Sequence, residues 1–400
     1  MNVSAIISEY NPMHKGHSYQ INKIKNSNDS LVISILGSNF VQRGDLAIMS
    51  KSARTKAALS AGADLVIELP VIWSCASAEK FAFGATFIAD SMGCINSLNF
   101  GSESGNINEL KNAALSIDSY ETMELTRKLM KTGITFAKAR QDAVLDIYGN
   151  GTATLLKKPN NILAIEYIRS LNKLKSNIVP ETIKRFGAGH DSDVIKDGFC
   201  SASYIRKLIM NNDNKFYNYL SEDVANIIKE EIKAKAFPAS IKKLETAILY
   251  KLRSMSREEI LNLPDISEGL QNRIYSAIKT STSLEELREK IKSKRYTMSR
   301  INRIIISAFL GITKEISEYS PQYIRILGFN NNGLKILKEA KYSCKLPIVT
   351  KYSDIKNLNY KANRIFDIES ISSDLYYLST PDIKVCDYEK TFKIIKYNLV

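Results

Sequence analysis

Four short apolar runs, Val3-Ser4-Ala5-Ile6-Ile7, Leu31-Val32-Ile33-Ser34-Ile35-Leu36, Asp64-Leu65-Val66-Ile67-Glu68-Leu69 and Ser97-Leu98-Asn99-Phe100, recur with helix-length segments between them. Such runs read as buried strands. The stretch opening at His17, and those near 51–61 and 78–92, read as helices. Parallel neighbours need a long crossover, and a right-handed helical segment supplies it. The expected fold class is therefore α/β, a Rossmann-like doubly wound parallel sheet, whose ligands gather beyond the carboxyl ends of the strands.

Four segments project from those ends: the loop after the first run, Gly37-Ser38-Asn39-Phe40-Val41-Gln42-Arg43-Gly44, Glu68-Leu69-Pro70, and Phe100-Gly101-Ser102-Glu103. The first is the most informative. Two of the chain's three histidines, His14 and His17, stand in Glu9-Tyr10-Asn11-Pro12-Met13-His14-Lys15-Gly16-His17. Asn11-Pro12 forces a turn, and His17-Ser18-Tyr19-Gln20-Ile21 opens an amphipathic helix. A helix N-terminus presents open N–H groups and partial positive charge, and Gly16 lets a phosphate approach the backbone. Two imidazoles there add donors, which points to a nucleotide phosphate site. Zinc fits poorly, since neither a Cys-x-x-Cys nor a second histidine cluster completes a ligand set.

Residues 106–175 look helical, with Pro159-Asn160-Asn161 as a break. A last strand follows at Ile178 to Phe186, then the loop Gly187-Ala188-Gly189-His190-Asp191. Ser201-Ala202-Ser203-Tyr204-Ile205-Arg206-Lys207 starts a helix, and Ser201, Ser203 and Arg206 make a second phosphate clamp. From about 216 the pattern is mostly helical and lysine-rich, and after Tyr323 a strand, a turn at Asn330-Asn331-Asn332-Gly333 and a helix suggest a small α/β piece. The expected division is 1–215, catalytic, and 216–400, basic.

Charge sharpens that division. The chain holds 56 Lys+Arg and 42 Asp+Glu; residues 1–150 hold 14 of each, so 151–400 hold 42 basic and 28 acidic residues. A neutral half joined to a basic one suits phosphate chemistry on a polyanionic partner. The densest basic segment is Lys292 to Arg303. There Lys294, Arg295, Arg300 and Arg303 interleaved with Tyr296 suit a nucleic-acid backbone and a stacked base. With 44% hydrophobic residues the chain is no disordered tail. Five scattered cysteines and an N-terminus without a basic leader make cytoplasmic residence, with reduced thiols, the expectation.

The His14-Lys15-Gly16-His17 stretch resembles the HxGH signature of class I nucleotidyltransferases. Together with Gly37–Gly44, Gly62-Ala63-Asp64-Leu65-Val66-Ile67-Glu68-Leu69-Pro70, Pro159-Asn160-Asn161-Ile162-Leu163, Ser201–Arg206, Ser267-Glu268-Gly269-Leu270, Lys294-Arg295-Tyr296-Thr297 and Ile324-Arg325-Ile326-Leu327-Gly328-Phe329-Asn330, it resembles the tRNA(Met) cytidine acetate ligase family. Met13 and Lys15 depart from the commoner Phe and Asn of that family. The resemblance implies an enzyme that activates acetate with ATP to acetyl-adenylate and passes the acetyl group to N4 of the wobble cytidine of elongator tRNA(Met). It implies ATP contacts at Ile7, Ser8, Glu9, Tyr10, Asn11, Pro12, Met13, His14, Lys15, Gly16, His17, Ser18, Tyr19 and Gln20, at Gly101 and Arg185, and at one of Asn160 and Asn161, with Asn160 favoured. Ile48-Met49-Ser50-Lys51-Ser52 reads like the synthetase KMSKS loop but comes too early in the chain, and Lys51 there reads as either rim or solvated surface. Ser201 to Arg206 is the better positional counterpart.

Adenylation needs no general base, because ionised acetate already carries its lone pair. It needs donors and cations where phosphoryl charge builds, and His14, His17, Arg206, Ser201 and Ser203 are of that kind. No dedicated carboxylate cage for magnesium is visible. Two other readings share the corner: a nucleotidylyltransferase acting on a small metabolite, and a non-catalytic RNA-binding protein on the same fold.

Overall fold

A computed structural model describes residues 1–185, 200–267 and 269–398; the expected Gly187–Asp191 loop and Glu268 lie outside the described residues. The apolar runs form β1 (Val3–Ser8), β2 (Leu31–Gly37), β3 (Leu65–Leu69), β4 (Ser97–Ser102) and β5 (Val179–Lys184). The C-terminal part adds β6 (Ile324–Phe329), β7 (Ile348–Val349) and β8 (Ile395–Lys396). One eight-stranded sheet results, in the order β8-β6-β3-β2-β1-β4-β5 with β7 on β6. Strands β1 to β5 are parallel, as their crossover lengths require, and β6 runs antiparallel to β3. Registers such as Ser8↔Leu36, Leu36↔Glu68 and Ser102↔Lys184 bring the carboxyl ends of these five strands to one edge.

The helices that frame this edge are α1 (Lys15–Asn28), α2 (Lys51–Ser60), α3 (Ala78–Met92), α4 (Pro159–Leu174), α5 (Ala202–Met210), α6 (Met298–Leu310) and α7 (Tyr360–Tyr377). Their starts carry the expected signals. Ser50, Ser77, Ser201 and Thr297 are N-caps whose hydroxyls accept backbone amides of the first turn. The two-residue period of each strand sends alternate side chains to two cores. Val3, Ala5, Ile33, Ile35, Leu65 and Ile67 pack with residues of α3, α4, α6 and α7. Ile6, Val32, Leu36 and Val66 pack with Ile21 and Ile24 of α1, Ala53, Ala57 and Ala58 of α2, and Ile205 and Ile209 of α5.

The strand expected after Tyr323 forms, but not within a separate small unit. β6 is buried along its whole length and extends the first sheet. Asp64 makes the join, since its carbonyl accepts the Asn330 amide at 3.0 Å and its carboxylate accepts Asn330 Nδ2 at 3.0 Å and the Val32 amide at 2.9 Å. The division at 215 is therefore no boundary of the sheet or its core. All five cysteines are free thiols. Among the described residues no helix is long and apolar enough to cross a membrane.

Candidate nucleotide-binding site

His14 is the N-cap of α1, and the corner is closed by a reciprocal pair of backbone-to-ring bonds. His14 Nδ1 accepts the Gly16 amide at 3.0 Å, while His17 Nδ1 accepts the His14 amide at 3.2 Å. The rings stack with centroids 3.8 Å apart, and Tyr10 meets His17 edge-on at 5.1 Å. An Nδ1 that accepts carries no proton, so each ring is neutral with its proton on Nε2. The local electrostatics agree. Burial, then the Arg185 guanidinium, push His14 down to about 3, and burial, His14 and Arg185 hold His17 well below the usual histidine value. Both rings are thus permanent Nε2–H donors at neutral pH.

The loop leading to this corner is held rigidly. Tyr10 takes a left-handed φ of 47°, unusual for a bulky residue. Asn11 Oδ1 accepts the Ile48 amide at 2.8 Å, and Glu9 Oε1 accepts the Gln42 amide at 2.7 Å. Arg54, fully buried in α2, donates to the carbonyls of Glu9, Gly37, Ser38 and Met49 at 2.8–3.1 Å, so one guanidinium ties together the loops after β1 and β2. Sequence reading missed Arg54, because a lone arginine in an alanine-rich helix gives no local sign of burial. Gly44, at φ 74°, lies against α6, where a Cβ would come within 2.4 Å of the Arg303 backbone nitrogen. Met13 is fully buried, so this position calls for an apolar side chain.

The other expected residues reach the same edge. Arg206 Nη1 donates to the Asn11 carbonyl at 2.7 Å, which brings α5 onto the histidine corner. The Ser201 and Ser203 hydroxyls lie 2.9 Å apart at the start of α5. Across β4, a Cβ on Gly101 would stand 3.1 Å from Arg185 Cγ, so glycine makes room for that side chain. Arg185 Nη1 donates to Asn160 Oδ1 at 3.3 Å. Asn161 is committed elsewhere, since its Oδ1 accepts the amides of Glu103 and Ser104 at 2.9 and 3.0 Å. Of the pair, Asn160 is the one turned toward Arg185. Lys15 is exposed and donates to the Asn218 carbonyl at 2.8 Å; Gln20 reaches Asn99 Oδ1 at 3.2 Å, and Ser8 shares a 2.8 Å bond with Ser34.

Two sequence expectations need correction. Lys51 and Glu68 are neither solvated surface nor open rim; both are fully buried. Lys51 Nζ contacts Glu68, and lies 2.7 Å from both Glu369 and Glu389, while Arg325 Nη1 contacts Glu389 and lies 3.3 Å from Glu68. These three carboxylates are the one grouping of three potential metal ligands among the described residues, and the Lys51 ammonium occupies its centre. Burial works against the Lys51 charge, yet Glu369, Glu389 and Glu68 hold its pKa above the usual lysine value. Three carboxylates face two cations, which favours one retained proton. Burial pushes the Glu68 carboxyl up to about 7 against the pull of Lys51, and its Oε2 is buried without a hydrogen-bond partner.

The basic segment is the second correction. Arg303 is buried and pairs with Asp265 at 3.2 Å; Arg300 donates to the Asp265 carbonyl and to Ser267 Oγ, both at 2.7 Å. Tyr296 is buried under the Arg300 guanidinium, 5.2 Å from the ring centroid, so it offers no open face for a base. These side chains fasten α6 to its neighbours, whereas Lys294 and Arg295 stay exposed.

Residues 1–391 match the model of the HIGH Nucleotidyl Transferase family. Among curated proteins, a tRNA(Met) cytidine acetate ligase of Thermoanaerobacter sp. (strain X514) is 39% identical over 99% of this chain and 100% of its own length. One of Clostridium novyi (strain NT) is 39% identical over 95% of this chain and 99% of its own. The chain belongs to the tRNA(Met) cytidine acetate ligase family. Its fold superposes on a crystal structure of Thermotoga maritima TmcAL, apo form I, with a TM-score of 0.94 at 30% identity, and on that protein bound with alpha-thio ATP with a TM-score of 0.93, each covering 100% of both chains.

Proposed function

We propose that the protein is an ATP-dependent ligase that forms acetyl-adenylate and transfers the acetyl group to N4 of the wobble cytidine of elongator tRNA(Met) in the cytoplasm. The observation that carries this reading is the pair of neutral imidazoles at the start of α1, flanked by Arg185 and by Arg206 on the Asn11 carbonyl. In the first step an acetate oxygen bonds the α-phosphorus and pyrophosphate departs with the electron pair. His14 and His17 donate Nε2–H bonds to the phosphoryl oxygens as charge grows there, Arg206 pairs with the departing phosphates, and Ser201 and Ser203 add hydroxyl donors. Donors fixed by the protein's own bonds need no reorganisation as the reaction proceeds. The Ile7–Gln20 segment, Gly101, Asn160 and Arg185 hold the nucleotide, and any magnesium comes with ATP.

In the second step the cytidine amine attacks the acetyl carbonyl and AMP leaves. The base must leave its stack, which a single-stranded anticodon loop permits at small cost. The 216–400 region grips the tRNA, with Lys294 and Arg295 as its exposed cations near α6. Incubating the protein with ATP and acetate, with and without tRNA, followed by mass spectrometry of the digested nucleosides, tests donor and acceptor together. N4-acetylcytidine appearing only with all three components supports the reading; a dinucleotide product without acetylcytidine replaces it with small-metabolite nucleotidylyl transfer.

A further inference from the structure

The even charge of residues 1–150 conceals a polarised segment. Residues 125–141 carry Arg127, Lys128, Lys131, Lys138 and Arg140 and no carboxylate. This cationic stretch ends the helix Tyr120–Met130 and begins the helix Phe136–Leu155. The turn between them abuts the C-terminal basic loop. Arg295 Nε donates to the Gly133 carbonyl at 3.2 Å, and a Cβ on Gly133, at φ 90°, would come within 2.8 Å of Arg295 Nη2. Residues 290–303 likewise carry no carboxylate. Two acid-free segments, far apart in sequence, therefore meet in one surface.

Three of the lysines there face solvent and are open to an outside anion. Lys128, Lys131 and Lys294 are exposed, and none has a carboxylate within ion-pair distance among the described residues. Among the described residues Arg127 and Lys138 pair with Glu124 and Asp142 on their own helices, in exposed contacts that contribute little and that a phosphate can displace, whereas Arg140 is mostly buried, pairs with Glu166 at 2.9 Å and takes no part in the surface. Lys128, in the last turn of its helix, also offsets the carbonyl end of the helix dipole, but that effect acts on stability and not on RNA affinity.

We propose that Lys128 and Lys131 join Lys294 and Arg295 in a single ridge that grips the phosphate backbone of the tRNA, so that the 106–155 helical region shares in RNA binding. This rests on the tRNA-modifying reading above. The test uses the full-length protein and titrates tRNA(Met) binding across salt concentrations. Each lost phosphate contact lowers the salt slope by about one. K128Q/K131Q is expected to weaken binding and reduce the slope by about two, with K128R/K131R restoring both. A K128Q/K131Q protein of unaltered melting temperature that binds with the parental affinity and slope overturns the ridge. So does a loss of binding to anionic phospholipid vesicles with tRNA affinity retained. Acetylcytidine formation by the parent protein is read separately: its absence alongside a lowered slope in the variant leaves the ridge standing and removes the ligase reading.

Discussion

The histidine corner and the Lys51 cage lie at the same edge of the sheet, and both are made of charged or polar groups packed into the protein. They differ in what they leave over. In the corner each ring spends Nδ1 on a backbone amide and keeps an Nε2–H donor, with Arg185 and Arg206 beside it. In the cage Lys51 and Arg325 contact Glu68, Glu369 and Glu389, which also accept bonds from Ser38, Ser373 and the Val71 amide. The first offers donors to a ligand; the second turns its charges on one another, with Glu68 Oε2 left unpartnered but sealed from solvent. Burial and charge by themselves do not mark a site, whereas donors left over after the protein's own bonds are counted do.

Substitutions can break this contrast. Lys51→Met leaves three carboxylates facing Arg325 alone, and removing one partner of a buried ion cluster costs about 3–5 kcal/mol. A sharp fall in melting temperature is expected; a variant as stable as the parent would mean the cage contributes nothing to the fold. His17→Ala should show the reverse, with acetyl-adenylate formation, followed by ATP–pyrophosphate exchange, dropping on the order of 10²-fold and the melting temperature shifting only modestly. Equal exchange rates in variant and parent would remove His17 from the chemistry. The smallest effect belongs to Glu68→Gln. Because burial raises the Glu68 carboxyl to about 7, the folded state holds a proton between roughly pH 4.5 and 7 that the unfolded chain has released. That group's contribution therefore falls as pH rises through this window, and the variant's stability should decline less across it. Parallel pH–stability curves would place the retained proton elsewhere.

The corner was legible because its parts follow one another without interruption between Val3 and Asn28: a β-branched strand, a proline turn, a small residue and an amphipathic helix. The strands β1 to β5 were legible for the same reason. The cage was not, since it assembles residues 38, 51, 68, 325, 369, 373 and 389 by tertiary contacts alone, and a lysine in a helix's first turn looks solvated until Glu369 and Glu389 arrive. The antiparallel seating of β6 on β3 was hidden likewise; the strand itself shows in Ile324–Phe329, its neighbour does not. Averaging charge over 150 residues masked the cations at 127–140. Arg300 and Arg303 were misplaced because a basic run gives no hint of the Asp265 carboxylate and carbonyl that engage them.

The seating of β6 has a consequence for how such a protein can change over evolutionary time. Cutting the chain near residue 215 would strip β3 of its neighbour and strand Lys51 and Glu68 without three of their counter-ions. The part expected to hold RNA is thus no detachable module that could be traded for another recognition domain; new specificity must be sought by altering surface residues in place.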